Sequence, residues 1–223
     1  RPVTQILLAL IASVLLTLVL VRSAKVHGHH TGDHDFLKPQ GFHTEAVPRI
    51  GGLAVIVAMG LALLPGWWRP TPTWVMGCSL MLCGLPAFGV GFVHDLRETV
   101  TPRGRLLATA VSALLAFYFL GAAIVDTAIP GLDWVASFAL GSLFLTLFTV
   151  AGIANAVNII DGFNGLASMC VMLMLSALAY VAFQVNDGVI GGLALLGIAA
   201  VAGFFLWNYP HGLIFLGDGG AYF

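Results

Sequence analysis

Charge is what this chain has least of. Asp, Glu, Lys and Arg together make up 9% of its 223 residues against 59% hydrophobic residues, whereas soluble domains carry about a quarter charged residues. That balance excludes an ordinary soluble fold and points to an all-α polytopic membrane protein. Cysteine is also scarce. Cys78, Cys83 and Cys170 sit inside apolar segments without metal-type pairing, so they read as small buried hydrophobes and no zinc site is expected. There is no G-x-x-x-x-G-K-[ST] run, which argues against nucleotide hydrolysis. No internal repeat stands out, and the longest polar stretch, Arg22 to Pro48, is too short and irregular to hold a core of its own. The first apolar segment lacks a clear cleavage site and reads as a spanning helix. Residues 1–223 are therefore read as a single transmembrane domain.

What the chain has in plenty is apolar runs long enough to cross a ~30 Å hydrocarbon core. They extend from about Gln5 to Val21, Ile50 to Leu64, Trp74 to Val93, Leu106 to Val125, Trp134 to Ile153, Leu166 to Val185 and Val189 to Trp207. This predicts about seven complete spans. Leu213 to Phe223 reads as the start of an eighth, and residue 1 is Arg, so the sequence is read as a piece of a longer protein. Placing alternate loops on alternate faces gathers Arg22, Lys25, Lys38, Arg49, Arg97, Arg103 and Arg105 on one side and leaves Arg1 and Arg69 on the other. The rich side is expected to be cytoplasmic. His94, His211 and the five histidines between His27 and His43 fall on that face too, with Asp95, Asp161 and Asp218. A membrane scaffold has no reason to sort its ionisable groups this way, whereas an enzyme using charged cytosolic substrates does.

The most informative segment is N-A-V-N-I-I-D-G-F-N-G, residues 155 to 165. It sets Asn155, Asn158, Asp161 and Asn164 at three-residue intervals where an apolar run ends, and burying such groups unpaired costs kilocalories each. Three further boundary segments lie on the same face. F-H-T-E-A-V-P-R-I-G-G, from Phe42 to Gly52, offers Arg49 as a forked donor and glycines for a turn, and is also an ordinary positively charged membrane boundary. G-F-V-H-D-L-R-E-T-V-T-P-R-G-R, from Gly91 to Arg105, brings His94 and Asp95 side by side. That pair suits proton transfer or metal ligation, or is a charged helix end with Arg97 as partner. F-L-G-D-G-G-A-Y, from Phe215 to Tyr222, flanks Asp218 with glycines, which permit close approach of a ligand or a plain turn. Together, acidic and amide groups for a divalent ion and basic groups for phosphate favour phosphoryl-group chemistry with a lipid acceptor. The cluster G-H-H-T-G-D-H-D, Gly28 to Asp35, carries metal-type side chains and reads as a solvated loop with no fixed geometry and not as a metal site.

These segments resemble the polyprenyl-phosphate N-acetylhexosamine-1-phosphate transferases, the glycosyltransferase family 4 proteins that include the phospho-N-acetylmuramoyl-pentapeptide transferases. The family's N-x-x-N-x-x-D-G-x-[DN]-G pattern matches Asn155 to Gly165, its G-D-x-G matches Gly217 to Gly220, and its H-x-x-P-x-P-R-x-G-G loop matches His43 to Gly52 loosely. Three departures stand out. His94-Asp95 occupies the place of a usual aspartate pair, Ala46-Val47 replaces Pro-Thr, and the family's later histidine-containing loop falls beyond Phe223.

The resemblance implies transfer of a sugar 1-phosphate, an N-acetylhexosamine 1-phosphate by expectation, from a UDP-sugar to undecaprenyl phosphate. UMP would be released at the cytoplasmic face of a bacterial inner membrane, in cell-wall or lipopolysaccharide biogenesis. It implies Mg²⁺, with Mn²⁺ as substitute, on Asp218 and Asn158, which suits a hard cation. Asp95, His94 and Asp161 are expected to be catalytic, with Asp95 activating or orienting the lipid phosphate. Asn155, Asn164, Arg49, Lys38 and His43 are expected to bind substrate. The expected partners are the UDP-sugar, undecaprenyl phosphate and the bilayer, with no nucleic acid, and a homodimer is left open. The competing classes are an ion-coupled transporter, which would need its polar groups near mid-helix, and a non-catalytic membrane homologue.

Overall fold

The computed structural model describes residues 2–31 and 47–223. Its regular elements are helical: α1 (Pro2–Thr31), α2 (Gly51–Leu63), a 3-10 turn (Leu64–Trp67), α3 (Pro72–Arg97), α4 (Pro102–Leu120), α5 (Leu132–Ala136), α6 (Ala139–Ile160), α7 (Leu166–Gln184), α8 (Gly188–Asn208) and α9 (Gly217–Tyr222). Among the described residues, six of these helices are long and apolar enough to cross a membrane. The protein is an all-α polytopic membrane protein. The expected span at Ile50–Leu64 is the exception, because α2 has only 13 residues and rises about 20 Å. The 3-10 turn continues it to Trp67.

The span expected at Leu106–Val125 stops at Leu120, where Gly121 caps α4 in the left-handed region. The one expected at Trp134–Ile153 is broken between α5 and α6. Two further boundaries differ, each with a local reason. Helix α1 continues through Ser-Ala-Lys-Val-His to Thr31, so Gly28 to Thr31 of the expected solvated loop is helical, while residues 32–35 lie outside the described residues. Ser23 to His27 include polar and charged residues but no helix breaker, so the backbone has no local cause to stop where the apolar run ends. Helix α6 runs to Ile160, seven residues past the expected Ile153. Its last turns therefore carry Asn155 and Asn158, which apolarity alone cannot place on a helix.

Helix α8 sits at the centre, packed on α1, α2, α3 and α7. Small residues make this possible, as close packing in lipid requires: a Cβ on Gly203 would lie 2.6 Å from the Ser13 Cβ. The Ser13 hydroxyl donates to the Ala200 carbonyl at 2.5 Å, tying α1 to α8. In α3, Pro86 interrupts the helical ladder, and α4 supplies a side-chain acceptor just beyond it, with Ala87 N–H donating to Ser112 Oγ at 3.0 Å. The large side chains of Phe144, Phe148, Leu173 and Leu206 face outward, as lipid-facing surfaces do. At one end, Trp67, Trp68 and Trp134 are strongly exposed, as in an interfacial aromatic belt. At the opposite end, α3, α6 and α8 terminate and α2, α4, α7 and α9 begin. The candidate site is there.

Candidate active site

Residues 212–216 run without helix into α9, and this strand-like approach is fastened to the start of α2. Phe215 N–H donates to Pro48 O at 2.9 Å, Gly51 N–H to Phe215 O at 2.9 Å, and Gly52 N–H to Leu216 O at 2.7 Å. Such close contact requires residues without side chains. A Cβ on Gly52 would fall 2.2 Å from the Gly220 Cα, and one on Gly91 would fall 2.7 Å from the backbone of Asp218. Gly217 has φ +77, in the left-handed region, and a Cβ there would strike the Arg49 carbonyl at 1.9 Å. The G-D-G-G run is thus a packing device as well as a carrier of Asp218.

A short helix leaves its first N–H groups without partners, and α9 solves this with two side chains from elsewhere in the chain. Asp161 accepts from Leu216 N at 3.2 Å and Gly217 N at 2.8 Å. Asp95 accepts from Asp218 N at 2.7 Å and Gly219 N at 2.8 Å. Four consecutive backbone donors are therefore held by two buried carboxylates. Burial raises the Asp161 carboxyl to about 7, while the two N–H donors and the nearby Arg49 charge pull it down.

Asp218 faces the other way. Its Oδ1 accepts from Asn158 Nδ2 at 2.7 Å, and its Oδ2 is paired with the Arg105 guanidinium. His94 Nε2 stands 3.8 Å from the same Oδ2, and among the described residues its buried Nδ1 has no hydrogen-bond partner, nor has Arg105 Nε. Arg105 also lies over the Tyr222 ring, 5.9 Å from its centroid, and the Tyr222 hydroxyl donates to Asn155 Oδ1 at 3.2 Å. Burial pushes the Tyr222 phenol up. One acidic, one basic and several neutral polar groups thus meet at the membrane boundary.

The structure brings together Asp95, His94, Asp161, Asn155, Asn158 and Asp218 from the expected set. Asn164 helps shape the turn that follows α8, its Nδ2 donating to Pro210 O at 2.9 Å. Arg49 lies close enough for its charge to act on Asp161 and His94. Lys38 and His43 lie outside the described residues. Sequence reasoning counted Arg105 only toward the charge of its face and passed over Tyr222 and Asn208. Asn208, 2% exposed, accepts from Gly165 N at 2.7 Å and donates to Ile214 O at 2.8 Å, so it joins the asparagine-rich turn to the approach to α9. A lone asparagine at the end of a 21-residue apolar helix was the available signal, since lipid gives it no partner.

The donor set can be weighed against Mg²⁺. Among the described residues, no three His, Cys, Asp or Glu side chains converge on a metal position. Asp95 and Asp161 are turned to backbone N–H groups, which leaves Asp218 as the carboxylate of the cluster directed at other side chains. Asn158 presents its nitrogen to Asp218, and its amide must turn over for both residues to share a cation. One carboxylate and one amide oxygen suit an ion that retains waters and takes further oxygens from a substrate phosphate, as Mg²⁺ does, and do not suit a caged structural metal. On that footing the residues fit.

The profile of glycosyl transferase family 4 matches residues 78–223. The chain belongs to glycosyl transferase family 4. Within this family 4 chain the match takes in the whole cluster from His94 to Tyr222 and leaves only Arg49 and the start of α2 to its N-terminal side. Along 96% of its length the chain is 26% identical to the phospho-N-acetylmuramoyl-pentapeptide-transferase of Lactobacillus acidophilus, covering 70% of that protein. Against the probable undecaprenyl-phosphate N-acetylglucosaminyl 1-phosphate transferase of Bacillus subtilis it is 27% identical over 98% of the chain and 60% of that protein. It is 32% identical to the phospho-N-acetylmuramoyl-pentapeptide-transferase of Streptococcus pyogenes over 78% of the chain and 55% of that protein. The family 4 chain thus spans between 55% and 70% of these relatives' lengths.

Proposed function

We propose that this protein transfers a sugar 1-phosphate from a UDP-sugar to undecaprenyl phosphate, at the cytoplasmic face of a bacterial inner membrane, as the first membrane step of an envelope glycan. The observation that carries this reading is the convergence on Asp218 of Asn158, Arg105 and His94 where several helices end. The family assignment and the relatives named as transferases of phospho-sugars support it. N-acetylhexosamine 1-phosphate is the proposed transferred group.

An oxygen of the lipid phosphate attacks the sugar-bearing phosphorus of the UDP-sugar. The bond from that phosphorus to the bridging oxygen breaks, and UMP leaves with the bridging oxygen. The nucleophile is already anionic near neutral pH, so positioning and neutralisation of charge matter more than proton removal. Arg105 and Arg49 supply forked, permanently charged donors for phosphate oxygens. Asp218 and Asn158 would hold Mg²⁺, which when bound neutralises diphosphate charge. His94, beside Asp218, brings an imidazole where a second carboxylate would add negative charge. Asn155, held by the Tyr222 hydroxyl, has an amide suited to nucleoside or sugar, and Asn164 borders the same end of the bundle.

The test is an assay of the purified protein in lipid for UMP formation from a panel of UDP-sugars, with undecaprenyl phosphate and with or without Mg²⁺. UMP release that needs both substrates and the cation supports the reading and identifies the sugar. No release from any donor, with the protein shown to be folded, overturns it.

A further inference from the structure

We propose that Asp95 and Asp161 are positioning residues for Asp218 and take no part in proton transfer. The proposal rests on the transferase reading only for what Asp218 does when positioned. The observation is the clamp: two carboxylates from α3 and from the end of α6 accept all four consecutive N–H groups from Leu216 to Gly219, at 2.7–3.2 Å. Helix α9 has six residues, too few to form on its own. Its entry is held by side chains contributed from elsewhere, and the two carboxyl groups lie at the end of the helix where its dipole is positive, which favours their ionised form.

The spacing shows what the clamp is for. His94 adjoins Asp95 on α3, and Asn158 precedes Asp161 by three residues, one turn of α6. Each clamping carboxylate is thus linked rigidly to a group that reaches the Asp218 side chain, at 3.8 Å for His94 and 2.7 Å for Asn158. Gly91, one turn before Asp95, leaves room for the Asp218 backbone to rest on α3. Each oxygen of the two carboxylates accepts one backbone N–H, and bonds of that kind favour the ionised form and fix the side chain against the backbone. An anionic lipid phosphate needs no base. Both facts favour positioning over chemistry.

The test uses the whole protein in lipid nanodiscs and three readouts: amide hydrogen exchange across residues 215–220, Mn²⁺ affinity by electron paramagnetic resonance, and UMP formation. In the wild type, the amides of 216–219 exchange far more slowly than that of the exposed His211. Asp95→Asn and Asp161→Asn each replace one acceptor oxygen with a donor facing an N–H. Exchange there rises about ten- to hundredfold, and Mn²⁺ affinity falls about tenfold or more together with activity. Loss of activity with wild-type exchange and wild-type Mn²⁺ affinity would show a chemical role and overturn the proposal. If a variant fails to fold, the wild-type exchange decides: 216–219 exchanging as fast as the exposed His211 overturns it as well. A protein that gives no UMP but shows the predicted exchange changes sinks the transferase reading and leaves the clamp standing.

Discussion

Arg105, in the first turn of α4, pairs its guanidinium with the Asp218 carboxylate 113 positions later in the chain. Both side chains are largely buried, at 16% and 10% exposure. The pair gives Asp218 a positive partner in the resting protein, in the place where a divalent cation would also be attracted.

Arg105→Ala leaves a buried carboxylate uncompensated, a change that costs about 3–5 kcal/mol. The variant is expected to melt well below the wild type in a chelator and to recover part of that loss when Mg²⁺ is added, because the cation takes over the neutralisation. Thermal unfolding of wild type and variant, with and without Mg²⁺, reads this directly. Equal melting under all four conditions would show that the pair contributes nothing.

Two glycines in α3 separate packing from helix propensity. A Cβ on Gly91 would press on the Asp218 backbone at 2.7 Å, whereas Gly89 has nothing within 4 Å. Gly91→Ala is expected to destabilise by about 1–3 kcal/mol through overpacking and to depress activity by displacing Asp218. Gly89→Ala is expected to be neutral, or to stabilise by about 0.5–1 kcal/mol. Paired melting and activity measurements check both.

Asn208→Leu removes an acceptor from Gly165 N–H and a donor from the Ile214 carbonyl. Buried groups left unsatisfied cost about 1–3 kcal/mol each. The expected result is lower thermal stability together with faster proteolysis at the 161–165 turn. A variant with wild-type stability would mean that other groups rescue these bonds.

His94→Asp puts a carboxylate beside Asp218, where the imidazole now stands 3.8 Å away. Two carboxylates bind a hard cation better than one, so Mn²⁺ affinity is expected to rise about tenfold and activity to hold or increase. Complete loss of activity with intact folding would show a role specific to imidazole.

The sequence made the membrane class legible through its lack of charge, and the place of the polar cluster legible through residues that lipid cannot satisfy. The family resemblance implies that Asn158 and Asp218 lie together, and the two side chains do meet, with the Asn158 amide nitrogen donating to Asp218. The direction of the carboxylates was not legible. A carboxylate such as Asp95 looks the same in sequence whether it faces a substrate or a backbone N–H, and the difference arises from the approach of residues 212–216, which no local pattern encodes. Arg105 was hidden for the opposite reason, because a basic residue at a membrane boundary is expected whether or not it has a partner. The extent of α6 was missed because Asn155 and Asn158 break its apolar run while the helix continues to Ile160, where Asp161 can reach Leu216 and Gly217.

The central claim is that Asp218 organises transfer of a sugar phosphate. The most direct measurement is UMP formation by Asp218→Asn beside the wild type, with both proteins shown to be folded in lipid. The account predicts a fall of about a thousandfold, the upper range for removing one preorganised electrostatic group, in a variant that is still folded but melts below wild type because the buried Arg105 has lost its carboxylate partner. Turnover within a few-fold of wild type would contradict it.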